Sequence, residues 1–122
     1  MTFRRQQLGK RGEDIAKEAV TEMGYEMVAR NYRCPLGEVD LIARDGDTLV
    51  FIEIKTRRGK GLAGAKEAVG PRKRRQLSKV ALYYMKKEGF LGQKARFDVV
   101  AVGLEGGRAR LEVIKDAFEL AL

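Results

Sequence analysis

The chain has 122 residues, one cysteine (Cys34), no histidine, and 25 Lys and Arg against 17 Asp and Glu, a formal charge of +8. A disulfide framework is therefore excluded. So are Cys/His zinc sites and Ser-His-Asp or Cys-His catalysis, because no imidazole is present to ligate a metal or act as base.

In chain order, the first element is a helix from Arg4 to Met23. Leu8, Ile15, Ala16, Ala19, Val20 and Met23 fall at helical spacing, and Gly24 supplies the stop. Gly9 and Gly12, poor helix formers, mark close approach by another backbone or a ligand, or else a frayed first turn. Tyr25–Tyr32 reads as a first strand. Gly37–Arg44 and Thr48–Thr56 read as a second and third, joined by the turn residues Asp45-Gly46-Asp47. Arg57–Gly70 is glycine-rich and basic, with too little apolar content for a packed element. Pro71 suits the first turn of a second helix, with Leu77, Val80, Ala81 and Tyr84 on one face and Gly89 as its end. Ala95–Gly103 is a strand, Arg108–Ile114 a fifth, and Asp116–Leu122 a tail whose type the pattern leaves open. The order α-β-β-β-α-β-β predicts an α/β sandwich around a central mixed sheet, one domain over 1–122.

Apolar residues make up 44% of the chain, enough for one core, and charged residues 34%. A pI near 9.8 favours polyanionic partners, nucleic acid ahead of anionic membrane. No apolar run reaches the length of a membrane span, and the charged start lacks the core of a signal peptide, so a cytoplasmic protein is expected.

The hairpin carries the chemistry. With Gly46-Asp47 as a two-residue turn, paired residue numbers sum to about 93. Asp40 then faces Glu53 and Glu38 faces Lys55, all on one face, while Val39, Leu41, Ala43, Val50, Ile52 and Ile54 form an apolar opposite face for the core. Facing carboxylates, with Cβ atoms roughly 5 Å apart, destabilise a hairpin unless a positive charge sits between them. Lys55 is one such charge; Mg²⁺ or Mn²⁺ is a better one, with the Ile54 carbonyl as a further oxygen. The plainer reading is an exposed sheet face with cross-strand ion pairs, Glu38 with Lys55 among them.

An acidic residue on one strand and Glu-x-Lys on the next, here Gly37-Glu38-Val39-Asp40 and Glu53-Ile54-Lys55, resembles the signature of the restriction-endonuclease-like superfamily. Gly9-Lys10-Arg11-Gly12-Glu13, Asn31-Tyr32-Arg33, the run at positions 37–42 and Arg96-Phe97-Asp98-Val99-Val100 extend the likeness from Leu8 to about Val102. Together they resemble the YraN-type family of small bacterial predicted nucleases. That resemblance implies a restriction-endonuclease-like three-layer sandwich and a metal-dependent endonuclease acting on DNA, branched or junction DNA included, with RNA not excluded. It implies Asp40 and Glu53 as metal ligands, Lys55 as the lysine that orients or activates the attacking water, and Glu13 as the helix glutamate of the Holliday-junction-resolvase branch. For Glu13, a charge favourable to the helix dipole is the plainer account. Gln76 lies within reach of the site without matching a family motif, and Asp98 reads equally as a structural partner of a nearby arginine.

Substrate capture is expected after Lys55, from Arg57, Arg58, Lys60, Lys66, Arg72, Lys73, Arg74 and Arg75 against the one acid Glu67. The last four open a helix, whose N-terminus also favours phosphate. Without interleaved aromatics, backbone-directed binding to duplex or branched DNA is favoured over stacking on single strands. Two alternatives stand beside the nuclease: a catalytically silent nucleic-acid-binding module, and a protein whose basic face meets an acidic partner. A homodimer through the Arg108–Ile114 edge, or capping of that edge by the tail, are the two outcomes for the fifth strand.

Overall fold

Ala16, Ala19 and Val20 lie on one face of α1 (Thr2–Glu22), and Gly24, at φ 99°, turns the chain out of the helix. The computed structural model describes residues 2–58 and 64–122, and the side chains of 11–57 and 64–122. After α1 come β1 (Glu26–Cys34), β2 (Gly37–Asp45), β3 (Thr48–Arg58), α2 (Pro71–Lys87), β4 (Ala95–Glu105) and β5 (Arg108–Phe118). This is the predicted element order. The tail left open by the sequence begins as strand: β5 runs on to Phe118, and beyond it Ala121 N–H donates to Ser78 Oγ on α2 at 2.8 Å. It therefore extends β5 and then docks on the helix instead of capping the strand's edge.

The strands form one sheet in the order β1-β2-β3-β4-β5. All neighbours are antiparallel except β3 and β4, a parallel pair linked by α2. A parallel pair needs a long crossover, and α2 with its flanking segments provides it.

Helices cover both faces of the sheet. Ala16 and Val20 of α1 pack on Leu41, Ala43, Val50, Ile52, Val100 and Val102. On the other face Leu77, Val80, Ala81 and Tyr84 of α2 pack on Ile42, Leu49, Phe51, Phe97, Val99 and Ala101. This corrects the expected division of the hairpin into one apolar and one polar face. Strands buried on both faces read as continuous apolar runs, and Leu49-Val50-Phe51-Ile52 is such a run. Val39 also changes sides: it packs under α2, whereas Leu41, two residues on, packs under α1. The alternation breaks beside Asn31, which has φ 53° and lies between the pairs Arg30–Leu41 and Tyr32–Val39. The Asp40–Glu53–Lys55 end of the α2-side face stays polar.

The approach of α1 to β3 depends on Gly12. A Cβ there would overlap the side chain of Thr56, so the expected close approach is by a neighbouring strand. Among the described residues no helix is long and apolar enough to cross a membrane.

A second buried acid organises the far end of the sheet. The β4–β5 register shifts between Phe97 and Val99, and at that point Asp98, fully buried, takes over the pairing. Its Oδ1 accepts from Asp116 N–H and Arg96 Nε, each at 3.0 Å, and its Oδ2 accepts from Tyr25 Oη at 2.7 Å. Arg96 Nη2 also reaches Asp45 at 2.8 Å. The structural reading of Asp98, with Arg96 as partner, is the one observed. Replacing it removes at once the acceptor of a hydroxyl and a backbone N–H and one of the two carboxylates that hold Arg96. We expect Asp98→Ala to lose about 3 kcal/mol of stability, seen as a lower denaturant midpoint at unchanged slope.

Candidate active site

The hairpin register is the one read from the sequence. Leu41 pairs with Ile52, Ile42 with Phe51, Ala43 with Val50, Arg44 with Leu49 and Asp45 with Thr48, and Gly46 at φ 63° makes the turn. Beyond Leu41–Ile52 the regular pairing stops. Asp40 Oδ2 accepts the Ile54 N–H at 2.7 Å, so a side-chain oxygen replaces a ladder bond. Within a strand, a residue's N–H and C=O point to the same edge. The Ile54 carbonyl therefore faces the edge on which Asp40 lies.

Glu53 continues the α2-side face past Phe51 and is buried at 6% exposure. Burial is the largest cause pushing its carboxyl up, from an ordinary 4.5 to about 7; the charge of Asp40 and the hydrogen bond between the two carboxyl groups add to it. Two ammonium groups oppose the rise: Lys73 Nζ at 3.5 Å and Lys55 Nζ at 3.8 Å from Glu53 Oε2. Both separations are well beyond the roughly 2.7–2.9 Å of a strong charge-assisted hydrogen bond. The lysines offset charge without saturating the carboxylate's lone pairs.

Asp40, Glu53 and Lys55 are thus brought together as the sequence implied, but Glu38 is not. It pairs with Arg33 at 3.0 Å across the β1–β2 hairpin, because the register sets these two residues opposite each other. Glu13 faces β1, with Oε2 at 3.4 Å from Arg30 Nη2 and 3.5 Å from Asn31 Nδ2, while the close partner of Arg30 is Asp14 at 2.6 Å. Among the described residues no group of three or more Cys, Asp or Glu that could hold a metal is formed. The cluster is a pair of carboxylates with one backbone carbonyl aimed at the same edge.

The basic run divides by helical geometry. Arg72 and Arg75 are exposed, as expected of substrate-binding groups. Lys73 turns inward to Glu53, and Arg74 is a strap: its Nε donates to Val69 O at 2.6 Å, and its guanidinium lies over the Phe118 ring. The run is therefore not uniformly directed at solvent: Arg72 and Arg75 are exposed, while Lys73 and Arg74 have partners within the protein. Lys73 shares a helical face with Leu77 and Val80, and that spacing was the signal that could have placed it in the site. Arg57 donates to Gly64 O at 3.4 Å. The side chain of Arg58 and the whole of Lys60 lie outside the described residues. Gln76 packs against Gly37, where φ is 140° and a Cβ would lie 2.7 Å from Gln76 Nε2. With Gly70, Arg72 and Lys73 it lines a concavity of about 360 Å³ at the start of α2. That helix start has no side-chain cap, which leaves first-turn N–H groups open to an anion.

Fold and site define a mixed α/β protein with a pair of acids, the buried Glu53 and the half-buried Asp40, at the mouth of a basic helix N-terminus. The chain belongs to the UPF0102 family, described as an uncharacterised protein family, whose model matches residues 12–102. It is 50% identical over 113 residues to a UPF0102 protein of Syntrophus aciditrophicus, covering 93% of this chain and 89% of that one. A relative from Geobacter sulfurreducens is 50% identical over 115 residues, with coverages of 93% and 90%. One from Moorella thermoacetica is 44% identical over 120 residues, with coverages of 97% and 100%.

The raised Glu53 carboxyl has a thermodynamic consequence. Between about pH 4.5 and 7 the folded state binds the proton that the unfolded state has lost, so stability falls as pH rises through that window and levels off above it. In chelator, Glu53→Gln is expected to abolish this slope and to be more stable than the parent at pH 8 by about 1–3 kcal/mol. Urea unfolding at pH 4, 6 and 8 measures both.

Proposed function

We propose that this protein is a Mg²⁺- or Mn²⁺-dependent endonuclease of the restriction-endonuclease-like superfamily, hydrolysing phosphodiesters in DNA. The observation that carries the reading is the Asp40–Glu53 pair, a half-buried carboxylate set against a buried one, beside Lys55. Pure nucleic-acid binding gains nothing from clustered acids facing a polyanion, and a fold gains nothing from a carboxyl pushed up to about 7 by burial and by its acidic neighbour.

The donors fit a hard dication: Asp40, Glu53 and the Ile54 carbonyl are all oxygens, and the acid pair carries repulsion that a cation relieves. Bound there, the ion supplies Lewis-acid stabilisation of the phosphoryl oxygens and a nucleophile at neutral pH. Asp40, fixed by the Ile54 N–H, orients its remaining oxygen. Lys55 neutralises charge developing on the phosphate oxygens and positions the attacking water. Arg72 and Arg75 hold the flanking backbone at the uncapped start of α2.

A silent binding module is the second reading, favoured by one feature: Glu13 lies against Arg30 and Asn31 on β1 instead of joining the pair. Cleavage decides between them. Incubated with linear and branched DNA in Mg²⁺ or Mn²⁺, the protein should cut, and Asp40→Ala/Glu53→Ala or chelator should lower the rate at least about 100-fold. Absence of cleavage with DNA binding intact would leave the binding module. Replacing both Arg72 and Arg75 with Ala should weaken binding on all sequences alike and reduce the slope of log K against log salt by about 2.

A further inference from the structure

Lys73 is the site member that sequence reasoning assigned elsewhere, and its geometry sets two demands against each other. Its ammonium sits 3.5 Å from Glu53 Oε2, on the carboxylate that a dication would need. It also lies in the first turn of α2, beside Arg72 and within the concavity lined by Gly70, Arg72 and Gln76, where a phosphate would be held. One lysine cannot serve both positions at once. Its side chain is one-third exposed and rides on a long flexible stem, so it is free to change partner without movement of the helix.

On the nuclease reading above, we propose that Lys73 is an internal counter-ion that occupies Glu53 when no cation is bound and passes to the substrate phosphate when one is. The physics is exchange of like charges. An ammonium and a dication on the same carboxylate repel strongly in a half-buried site, so loading the cation expels Lys73 from Glu53. The nearest compensating anion is then a phosphodiester at the helix start. In reverse, a phosphate that draws Lys73 away frees Glu53 for the cation. By linkage the two ligands favour each other's binding by the same factor. Lys55, at 3.8 Å from the same oxygen, is the less suited of the two to this exchange. It stands on the central strand β3 and keeps its place beside the pair, whereas Lys73 reaches in from the opposing helix.

The account gives Lys73 opposite effects on metal binding and on turnover, which a stabilising ion pair would not produce. Mn²⁺ affinity is measured by calorimetry on the DNA-free protein, its Lys73→Gln variant and its Lys73→Arg variant, with cleavage measured at saturating Mn²⁺ and DNA. Lys73→Gln should bind Mn²⁺ about tenfold more tightly, since its competitor is gone, yet cut at least about tenfold more slowly. Lys73→Arg should keep the weaker metal affinity and much of the turnover. Metal binding by Lys73→Gln that is unchanged or weaker than the parent's overturns the counter-ion role, and unchanged turnover overturns the transfer to phosphate. A parent protein that neither binds Mn²⁺ nor cuts DNA overturns the nuclease reading itself. Far-UV circular dichroism and urea midpoints of each variant separate these results from misfolding.

Discussion

The structure turns on one hydrogen bond, from Ile54 N–H to Asp40 Oδ2 at 2.7 Å. A backbone donor on a buried strand must be paired. Here the partner is a side chain instead of the carbonyl that an uninterrupted β2–β3 ladder would offer. The substitution ends the ladder, fixes the Asp40 carboxylate in the plane of the sheet, and brings it against Glu53. The remaining features of the site follow from that. Glu53 lies beneath α2 with an acid for a neighbour, its proton is retained to about pH 7, and two lysines from different elements lean toward it.

The same device occurs a second time with the opposite outcome. At Asp98 a carboxylate again replaces ladder bonds at an irregularity in the sheet, and again it is buried. There a phenol, two nitrogens of a guanidinium and a backbone N–H donate four hydrogen bonds to it at 2.7–3.2 Å, and no lone pair is left to serve a ligand. Glu53 has cations at 3.5 and 3.8 Å, close enough to offset its charge and too far to saturate it. One buried acid is satisfied and structural. The other is left with unused capacity, and buried polar groups of that kind mark functional sites more often than stable cores.

Most of the architecture was legible because it rests on short-range rules. The Asp45-Gly46-Asp47 turn set the register of β2 and β3, and alternation from that register placed Asp40 beside Glu53 with Lys55 on the same face. The errors arose where a third element intervened. Val39 and Leu41 were given one face because alternation was assumed to run unbroken, but Asn31 on β1 bends the pair at that point. Glu38 was set against Lys55 when the β1–β2 hairpin offered it Arg33. The run Arg72–Arg75 spans a full helical turn, so its four side chains point in different directions and two of them find partners within the protein. Lys73 and Arg74 were the two that pointed inward. The Asp98 network joins residues as distant in sequence as Tyr25 and Asp116, and no local pattern announces it.

The central claim is that Asp40 and Glu53 together form a cation site, and the direct test is the position of the ion. Crystals grown near pH 7.5 and soaked in Mn²⁺ should show an anomalous scattering peak within about 2.2 Å of a carboxylate oxygen from each residue, with the Ile54 carbonyl in the same coordination shell. A peak at other acidic residues, or none at a Mn²⁺ concentration that saturates binding in solution, would contradict the account and return Asp40 to the role of a purely structural replacement for a ladder bond.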